Sequence, residues 1–408
     1  MQQLIARQPV FTAQEKVFAH ELSFGFNPEE LLADPEAREN LPADIASSVF
    51  AGVDRPGARK RRVMVEITPH LLTEESLGLL ARKTAILQLT EAFQPTAKHM
   101  EAIKKLKGDG FRFAIGAFAL EGNLQDMGEL ADIIVVDFAN LEESDLRLIP
   151  IWCGRHRIQT LAYNLVTRQS FELAKELKYD FFHGQFFYEA KIVDRDTIPA
   201  FKLNYLRLLQ EINRGDISFD KLDGIIKQDV SLTYKLLKYI NSAAFGLRNE
   251  IESIKHALSM LGTREVKKWA TMVSLTNMGE DLPEEALVTC VLRGRFLEQL
   301  GKKLGHGSRG DDLFFMGIFS MIDLFFGRPK EEVLRDIPIT EDVKTALLGQ
   351  ESPFQNLFKA VLAYEDGDWD PLHTHLATLG MPEEEVPDLY FEALDWTQTI
   401  FLGEQQSD

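Results

Sequence analysis

The sequence predicts an α/β barrel followed by an all-helical domain. Up to about residue 200, short runs rich in β-branched and aromatic residues alternate with helical patterns, which is typical of a mostly parallel sheet. After that point apolar residues recur at helical spacing, as in Leu232, Leu236 and Ile240. A chain of 408 residues is long enough for two such domains. We place them at 1–197 and 198–408, with a short polar segment at 194–199 between them.

Eight candidate strands in the first 200 residues indicate a (β/α)8 barrel. Only residues 11–16 separate the first two strands, which is too short for the crossover that parallel neighbours need. We therefore expect an antiparallel first strand. The predicted strands are Leu4–Val10, Val17–Phe24, Arg62–Thr68, Thr84–Thr90, Phe111–Phe118, Ile133–Phe138, Ile158–Tyr163 and Phe181–Phe187.

Charge and composition limit the partners and the compartment. A net charge of -18 would repel a nucleic-acid backbone or an anionic membrane, so neither is an expected partner. No stretch approaches the roughly 18 apolar residues of a membrane span. Cys153 and Cys290 lie far apart in the sequence, which suits a reducing compartment. These features predict a cytoplasmic protein.

The first half of the chain resembles the EAL domain, the family of cyclic di-GMP phosphodiesterases. The resemblance rests on residues 6–11 and on the run His20–Gly25, and it continues in order across about residues 1–195. It implies a barrel with an antiparallel first strand. It also implies two divalent cations, held at the carboxyl ends of the strands, that activate water and neutralise the phosphodiester.

Most positions of that implied site carry different residues in this chain. The glutamate of the motif is kept as Glu21 and one ligand contact is kept as Gln8, but the phosphate-binding arginine falls on Gly25. Glu91 and Asp137 are further carboxylates near strand ends. We therefore expect no metal, no cofactor and no catalytic residue in the barrel. The other implied positions fall on Glu66, Gln88, Gly116, Ala117, Val135, Val166 and His183, of which His183 is interpreted as structural.

The second half resembles the HDOD domain, an all-helical relative of the HD metal phosphohydrolases that lacks their metal ligands. The resemblance rests on residues 225–246 and 251–262 and covers about residues 200–395, with Val230 where the family usually has proline. The metal-binding His-Asp pair of the HD proteins would fall on Ser320 and Met321. A hydroxyl and a thioether are not ligands for a hydrolytic cation, so no metal is expected here.

Four polar or glycine positions mark the HDOD motif. Asp229 is a suitable N-cap, and Gly262 closes the motif. Asn241 and Ser242 are expected to fix a helix–turn junction, with direct contact to a partner as the alternative.

The missing ligands in both halves favour a non-enzymatic signal-transduction or scaffold protein that acts through protein partners, with homodimerisation as one option. Two alternatives stay open: a cyclic di-GMP receptor that does not hydrolyse its ligand, and a residual phosphodiesterase that uses Glu21, Glu66 and Glu91.

Three tryptophans are candidate anchors for a protein partner, because tryptophan is favoured at protein–protein interfaces. A position in the hydrophobic core is the preferred interpretation for each of them. The three tryptophans considered as anchors are Trp269, Trp369 and Trp396.

Overall fold

The eight strands close into a barrel in chain order. β1 pairs antiparallel with both β2 and β8, and every other neighbouring pair is parallel. The predicted barrel with an antiparallel first strand is therefore confirmed. The strands are β1 (Ile5–Thr12), β2 (Val17–Phe24), β3 (Arg62–Glu66), β4 (Ala85–Leu89), β5 (Arg112–Gly116), β6 (Ile133–Asp137), β7 (Gln159–Tyr163) and β8 (Phe181–His183).

The computed structural model describes most of the chain. The described residues are 4–25, 49, 61–67, 72, 80–90, 96–120, 128–189, 200–212, 218–227, 230–240, 251, 253–279, 282–337 and 339–405.

Several strands end earlier than the sequence predicts. β5 stops at Gly116 and β8 stops at His183, and each is followed by a 3-10 turn. After β8 the chain turns at Gly184, whose φ is 133°. The apolar side chains that lengthened the predicted last strand, Phe186 and Phe187, are buried within this turn. Apolar runs therefore located the strands but not their carboxyl ends.

Three helices lie on the described connections between strands: α1 (Ala97–Gly108), α2 (Glu143–His156) and α3 (Arg168–Glu176). α1 and α3 both begin with a capping box, in which Thr96 and Thr167 exchange hydrogen bonds with the residue three positions later. These helices cover the outer face of the sheet with buried residues such as Ile103 and Phe171. The alternation of strand and helix follows the sequence pattern.

The centre of the barrel is an apolar layer to which each strand contributes one side chain. Inward and outward side chains alternate along a strand, so one residue of each strand reaches the axis at this level. The layer contains Val10, Ala19, Met64, Ile86, Ala114, Ile133, Leu161 and Phe181. Because side chains alternate along a strand, the residues two positions before or after each member of this layer also face the barrel interior.

From residue 200 onward the described elements are helices, apart from short 3-10 turns, as the sequence predicts. The helices are α4 (Ala200–Ile212), α5 (Phe219–Lys227), α6 (Val230–Ile240), α7 (Ile254–Met278), α8 (Glu284–Lys303), α9 (Gly310–Phe319), α10 (Ile322–Phe326), α11 (Lys330–Asp336), α12 (Glu341–Leu347), α13 (Gln355–Asp366), α14 (Trp369–Leu379) and α15 (Val386–Gln405). In the part of the chain that the structure describes, no helix has the length and apolar content needed to cross a membrane.

The chain forms two compact units. One contains Met1–Glu189 together with Lys359–Phe391, and the other contains Ala190–Phe358 together with Glu392–Asp408. Most of α13, all of α14 and the start of α15 therefore belong to the barrel unit. The sequence-based boundary between 197 and 198 stays a prediction.

Candidate functional site

A layer of mostly polar side chains lies directly above the apolar layer of the barrel. Alternate residues of a strand face the same side, so the residues two positions toward the mouth also point inward. In (β/α)8 enzymes this end of the barrel, formed by the carboxyl ends of the parallel strands, carries the active site. The layer consists of Gln8, Glu21, Glu66, Gln88, Gly116, Val135, Tyr163 and His183.

Glu21 is a buried carboxylate at the centre of this layer. The Gln88 amide and the Tyr163 hydroxyl donate hydrogen bonds to it, which lowers its pKa, but the loss of hydration has the larger effect. Burial therefore raises the pKa of Glu21 from 4.5 to about 7. Near neutral pH this group can exchange a proton at little free-energy cost, as an acid–base group requires.

His183 lies beside Glu21 and stacks on Tyr163. The two rings are nearly parallel, with centroids 4.3 Å apart. Burial lowers the pKa of His183 to about 4, so its ring is neutral at pH 7. Burial and the nearby charge of Glu21 raise the pKa of the Tyr163 hydroxyl, which therefore stays protonated. The structural role of His183 stays a prediction, and its stacking on Tyr163 is compatible with it.

Hydrogen bonds determine which nitrogen of His183 carries the proton. The Gln8 amide donates from Nε2 to the backbone oxygen of Asp366 at 2.7 Å, so Gln8 Oε1 is an acceptor. His183 Nε2 lies 3.1 Å from that oxygen and also 3.1 Å from Glu21 Oε2. The single Nε2 proton is directed to Gln8, which leaves His183 Nδ1 as an acceptor.

Three buried polar atoms of this layer have no hydrogen-bond partner among the residues that the structure describes. They are Glu21 Oε2, Gln88 Oε1 and His183 Nδ1. A buried polar group without a partner costs about 1–3 kcal/mol, so three of them at one mouth are a substantial local cost. Gln88 Oε1 and His183 Nδ1 are acceptors, and Glu21 Oε2 is an acceptor when the carboxyl group is ionised. The arrangement suits a ligand, or water, that presents N–H or O–H groups.

The other predicted carboxylates are already engaged or lie apart from this cluster. The Asp137 carboxylate accepts hydrogen bonds from the Ala139 backbone amide, Asn140 and Asn164, at 2.7–3.1 Å. Glu66 is exposed and accepts a hydrogen bond of 2.9 Å from Thr90. Because its hydrogen bonds come from backbone and side-chain amides, the Asp137 carboxylate stabilises the loop that follows β6.

The described residues do not fit the two-cation centre that the EAL resemblance implies. The resemblance places a pair of metal-binding aspartates on Gly116 and Ala117, whose side chains offer no ligand atoms, and the Phe118 ring lies against Gly116. No group of three or more potential metal ligands comes together among the described residues. Four predicted site residues lie outside the described ranges: Glu91, Asp229, Asn241 and Ser242.

In the helical unit, the positions of the HD metal pair are filled by a buried hydrogen-bond network. Arg293 donates to Ser320 Oγ at 2.6 Å, and Ser320 Oγ donates to the Gly317 carbonyl at 2.6 Å. Met321 is buried beside them. Gly262 has a φ of 74° and makes a kink within α7. The Arg293 guanidinium therefore contacts one of the two positions on which the HD resemblance places the metal pair.

The tryptophans considered as interface anchors differ in their surroundings. Trp269 is 1% exposed and belongs to the core. Trp396 is half-buried between Phe314 and the guanidinium of Arg295. Trp369 is half-buried and contacts Tyr364 edge to face.

Comparisons with known proteins agree with the two-part architecture. Residues 198–324 match the HDOD domain family. The chain is 27% identical to the protein YuxH of Bacillus subtilis, over 98% of this chain and 99% of that protein. It is 24% identical to the cyclic di-GMP phosphodiesterase CdgJ of Vibrio cholerae, over 97% of this chain and 92% of that protein.

Solved structures with a similar barrel include EAL domains. One from Listeria monocytogenes is 14% identical, covers 46% of this chain and 87% of that chain, and has a TM-score of 0.35. The EAL domain of Mycobacterium smegmatis DcpA is 16% identical, covers 45% of this chain and 90% of that chain, and has a TM-score of 0.34. The chain therefore combines a closed eight-stranded barrel that has an antiparallel first strand with a helical region in which residues 198–324 match the HDOD domain family.

The prediction of a non-enzymatic protein is wrong by this comparison. A relative that aligns over 97% of this chain is a cyclic di-GMP phosphodiesterase by name. The prediction was based on the absence of metal-binding side chains at positions 116 and 117. That absence gives no information about the polar side chains that the barrel mouth does contain. Tyr163 was not identified from the sequence, although it lies two residues after the core residue Leu161 and therefore faces inward.

Proposed function

We propose that the barrel binds cyclic di-GMP and hydrolyses one of its phosphodiester bonds. The similarity to CdgJ supports this substrate, because it extends over nearly the whole of both chains. The observation that carries the proposal is the buried cluster of Glu21, Gln88 and His183, whose unpaired acceptors lie at the barrel end where enzymes of this fold bind substrates. Guanine bases and ribose hydroxyls supply the N–H and O–H donors that such acceptors require.

Glu21 is the residue to which we assign the proton transfer. In hydrolysis, an oxygen–phosphorus bond forms to water while the bond from phosphorus to the leaving ribose oxygen breaks. Glu21 accepts the proton that water loses and returns it to the leaving oxygen, and its pKa of about 7 suits both directions. Gln88 and Tyr163 orient the carboxylate through their hydrogen bonds.

The test is to incubate the protein with cyclic di-GMP in magnesium, in manganese or with a chelator. Chromatography of each mixture then measures the linear dinucleotide that forms. We expect product with the wild-type protein and a loss of at least about 100-fold in Glu21→Gln, the usual minimum contribution of a positioned acid–base group. Glu143→Gln is the matched control, since Glu143 is 64% exposed on α2 and pairs only locally with Arg147.

Two outcomes contradict the proposal. The first is the absence of linear product under all three conditions. The second is equal product from the wild type and from Glu21→Gln, which would indicate a contaminating hydrolase or a different site.

A further inference from the structure

The end of α13 and the start of α14 lie against the mouth of the barrel. We call residues 366–369 the covering turn. Its Asp366 carbonyl accepts the 2.7 Å hydrogen bond from Gln8, 358 positions earlier in the chain. Tyr364, two residues before it, is fully buried and hydrogen-bonds to the backbone of Ile5. The first strand and the covering turn are therefore in direct contact.

The contact requires glycine on both sides. At Gly367, φ is 65°, and a Cβ atom would lie 2.6 Å from Ser23 Oγ and 2.8 Å from Ser23 Cβ. At Gly25, a Cβ atom would lie 2.8 Å from Leu4 Cβ and 3.2 Å from Trp369 Cδ2. Gly25 is also the position where the family resemblance places a phosphate-binding arginine. Leu4 and the Trp369 ring of the covering turn thus together occupy the space beside the mouth that a longer side chain at 25 would need.

The covering turn also uses the hydrogen-bonding capacity of Gln8. One end of the Gln8 amide is bound to Asp366 and the other faces His183 Nε2 at 3.1 Å. Gln8 is the position at which the resemblance implies a contact with the nucleotide. The Gln8 amide nitrogen has two hydrogens, and the Asp366 carbonyl accepts one of them, so a ligand acceptor that approaches from the side of the covering turn must displace that carbonyl.

The two ends of this segment differ in burial. Tyr364 and Ala363 are buried within the barrel unit, whereas Asp366, Gly367 and Trp369 are half-buried. Local opening starts where few side chains are buried and backbone is exposed to solvent. Tyr364 therefore serves as the fixed anchor, and the covering turn is the part that can withdraw.

We propose that the covering turn competes with cyclic di-GMP for the barrel mouth and holds the site in a low-affinity state. The inference rests on the proposed function, because it concerns the regulation of the same site. If the mouth is competent only when the turn is withdrawn, the apparent affinity is lowered by the fraction of molecules in which it is withdrawn. Loosening the turn must then increase affinity.

The experiment is a calorimetric titration of the full chain with cyclic di-GMP, comparing the wild type with Gly367→Ala. The alanine meets Ser23 and should lift the turn, so we expect binding to become at least about tenfold tighter. Gly380→Ala is the matched control, because Gly380 ends α14 with the same φ of 65° but a Cβ there meets no atom within 4 Å. It should bind as the wild type does.

A second substitution reverses the first. Ser23→Gly in the Gly367→Ala background removes both atoms nearest to the added Cβ and leaves Ala6 Cβ at 3.7 Å, so affinity should return toward the wild-type value. Trp369→Leu weakens the packing of the covering turn against Gly25 and should also tighten the binding of cyclic di-GMP. Hydrogen exchange of the β1 amides checks that the barrel of this variant stays folded.

The outcomes separate this inference from the proposed function. If the wild type binds and neither Gly367→Ala nor Trp369→Leu binds more tightly, the covering turn does not compete and this inference fails alone. If no variant binds cyclic di-GMP, the proposed function fails and the inference fails with it. Binding by Gly367→Ala but not by the wild type supports both.

Discussion

Glu21 in the barrel and Glu298 in the helical unit are both buried, but their surroundings differ. Glu298 is 5% exposed, and its two oxygens accept hydrogen bonds from Lys268 at 2.7 and 2.9 Å. Arg295 donates a third at 2.8 Å, and Arg264 contacts the same carboxylate. In the described part of the chain, the groups that hydrogen-bond to Glu21 are the uncharged side chains of Gln88 and Tyr163, and Glu21 Oε2 has no hydrogen-bond partner.

The protonation of the two glutamates follows from this difference. Burial alone would raise both pKa values, but the hydrogen bonds and charges of Lys268 and Arg295 hold the pKa of Glu298 below its ordinary value. For Glu21, the hydrogen bonds of Gln88 and Tyr163 do not compensate for burial. A buried carboxylate that is fully paired stabilises a fold, whereas one left with an unpaired oxygen is available to a ligand.

The largest effect is expected where the paired cluster is broken. Lys268→Met leaves Glu298 buried with one of its charge partners removed, and removal of a partner from a buried ion pair typically costs about 3–5 kcal/mol. The free energy of unfolding, measured in urea, should fall by that amount. Lys255→Met is the control on the same helix: its 2.6 Å pair with Asp220 is exposed, and its loss should not measurably change stability. Equal losses would contradict the distinction between the two lysines.

The pH dependence of stability separates Glu21 from His183. The folded-state pKa of Glu21 is raised to about 7, so its contribution to stability falls as pH rises from 4.5 to 7. The pKa of His183 is lowered from 6.5 to about 4, so its contribution rises with pH across that window. In the wild type the two slopes oppose each other.

Removing one partner should reveal the slope of the other. In Glu21→Gln, the free energy of unfolding should increase between pH 4 and 6.5, by up to about 3 kcal/mol for a shift of this size. In His183→Asn it should decrease between pH 4.5 and 7. Urea unfolding at several pH values measures both. Flat profiles in both variants would mean that neither group is perturbed.

A smaller effect tests the neutral neighbours of Glu21. Tyr163→Phe keeps the ring that stacks on His183 but removes a hydrogen bond that lowers the pKa of Glu21. We expect that pKa to rise further and stability to fall by about 1 kcal/mol, the usual net contribution of one hydrogen bond. Tyr179→Phe is the control, because its hydroxyl bonds the Leu146 carbonyl away from Glu21 and its loss should leave that pKa unchanged.

The local sequence predicts the fold better than it predicts the site. The strands follow from apolar runs, and the short 11–16 connection correctly predicts the antiparallel first strand. The polar layer could also have been found, since Glu21, Gln88 and His183 each lie two residues after a core position. The return of residues 359–391 to the barrel has no such signal, because the contact between Gln8 and Asp366 joins residues 358 positions apart.

The most direct test is a ¹³C NMR titration of the protein labelled at the glutamate carboxyl carbons. The Glu21 signal is identified by its absence in Glu21→Gln. We expect a midpoint near pH 7 without nucleotide and a displaced midpoint when cyclic di-GMP is added. A midpoint in the ordinary range near 4.5 that does not respond to the nucleotide would contradict the assignment of Glu21 to an open binding site.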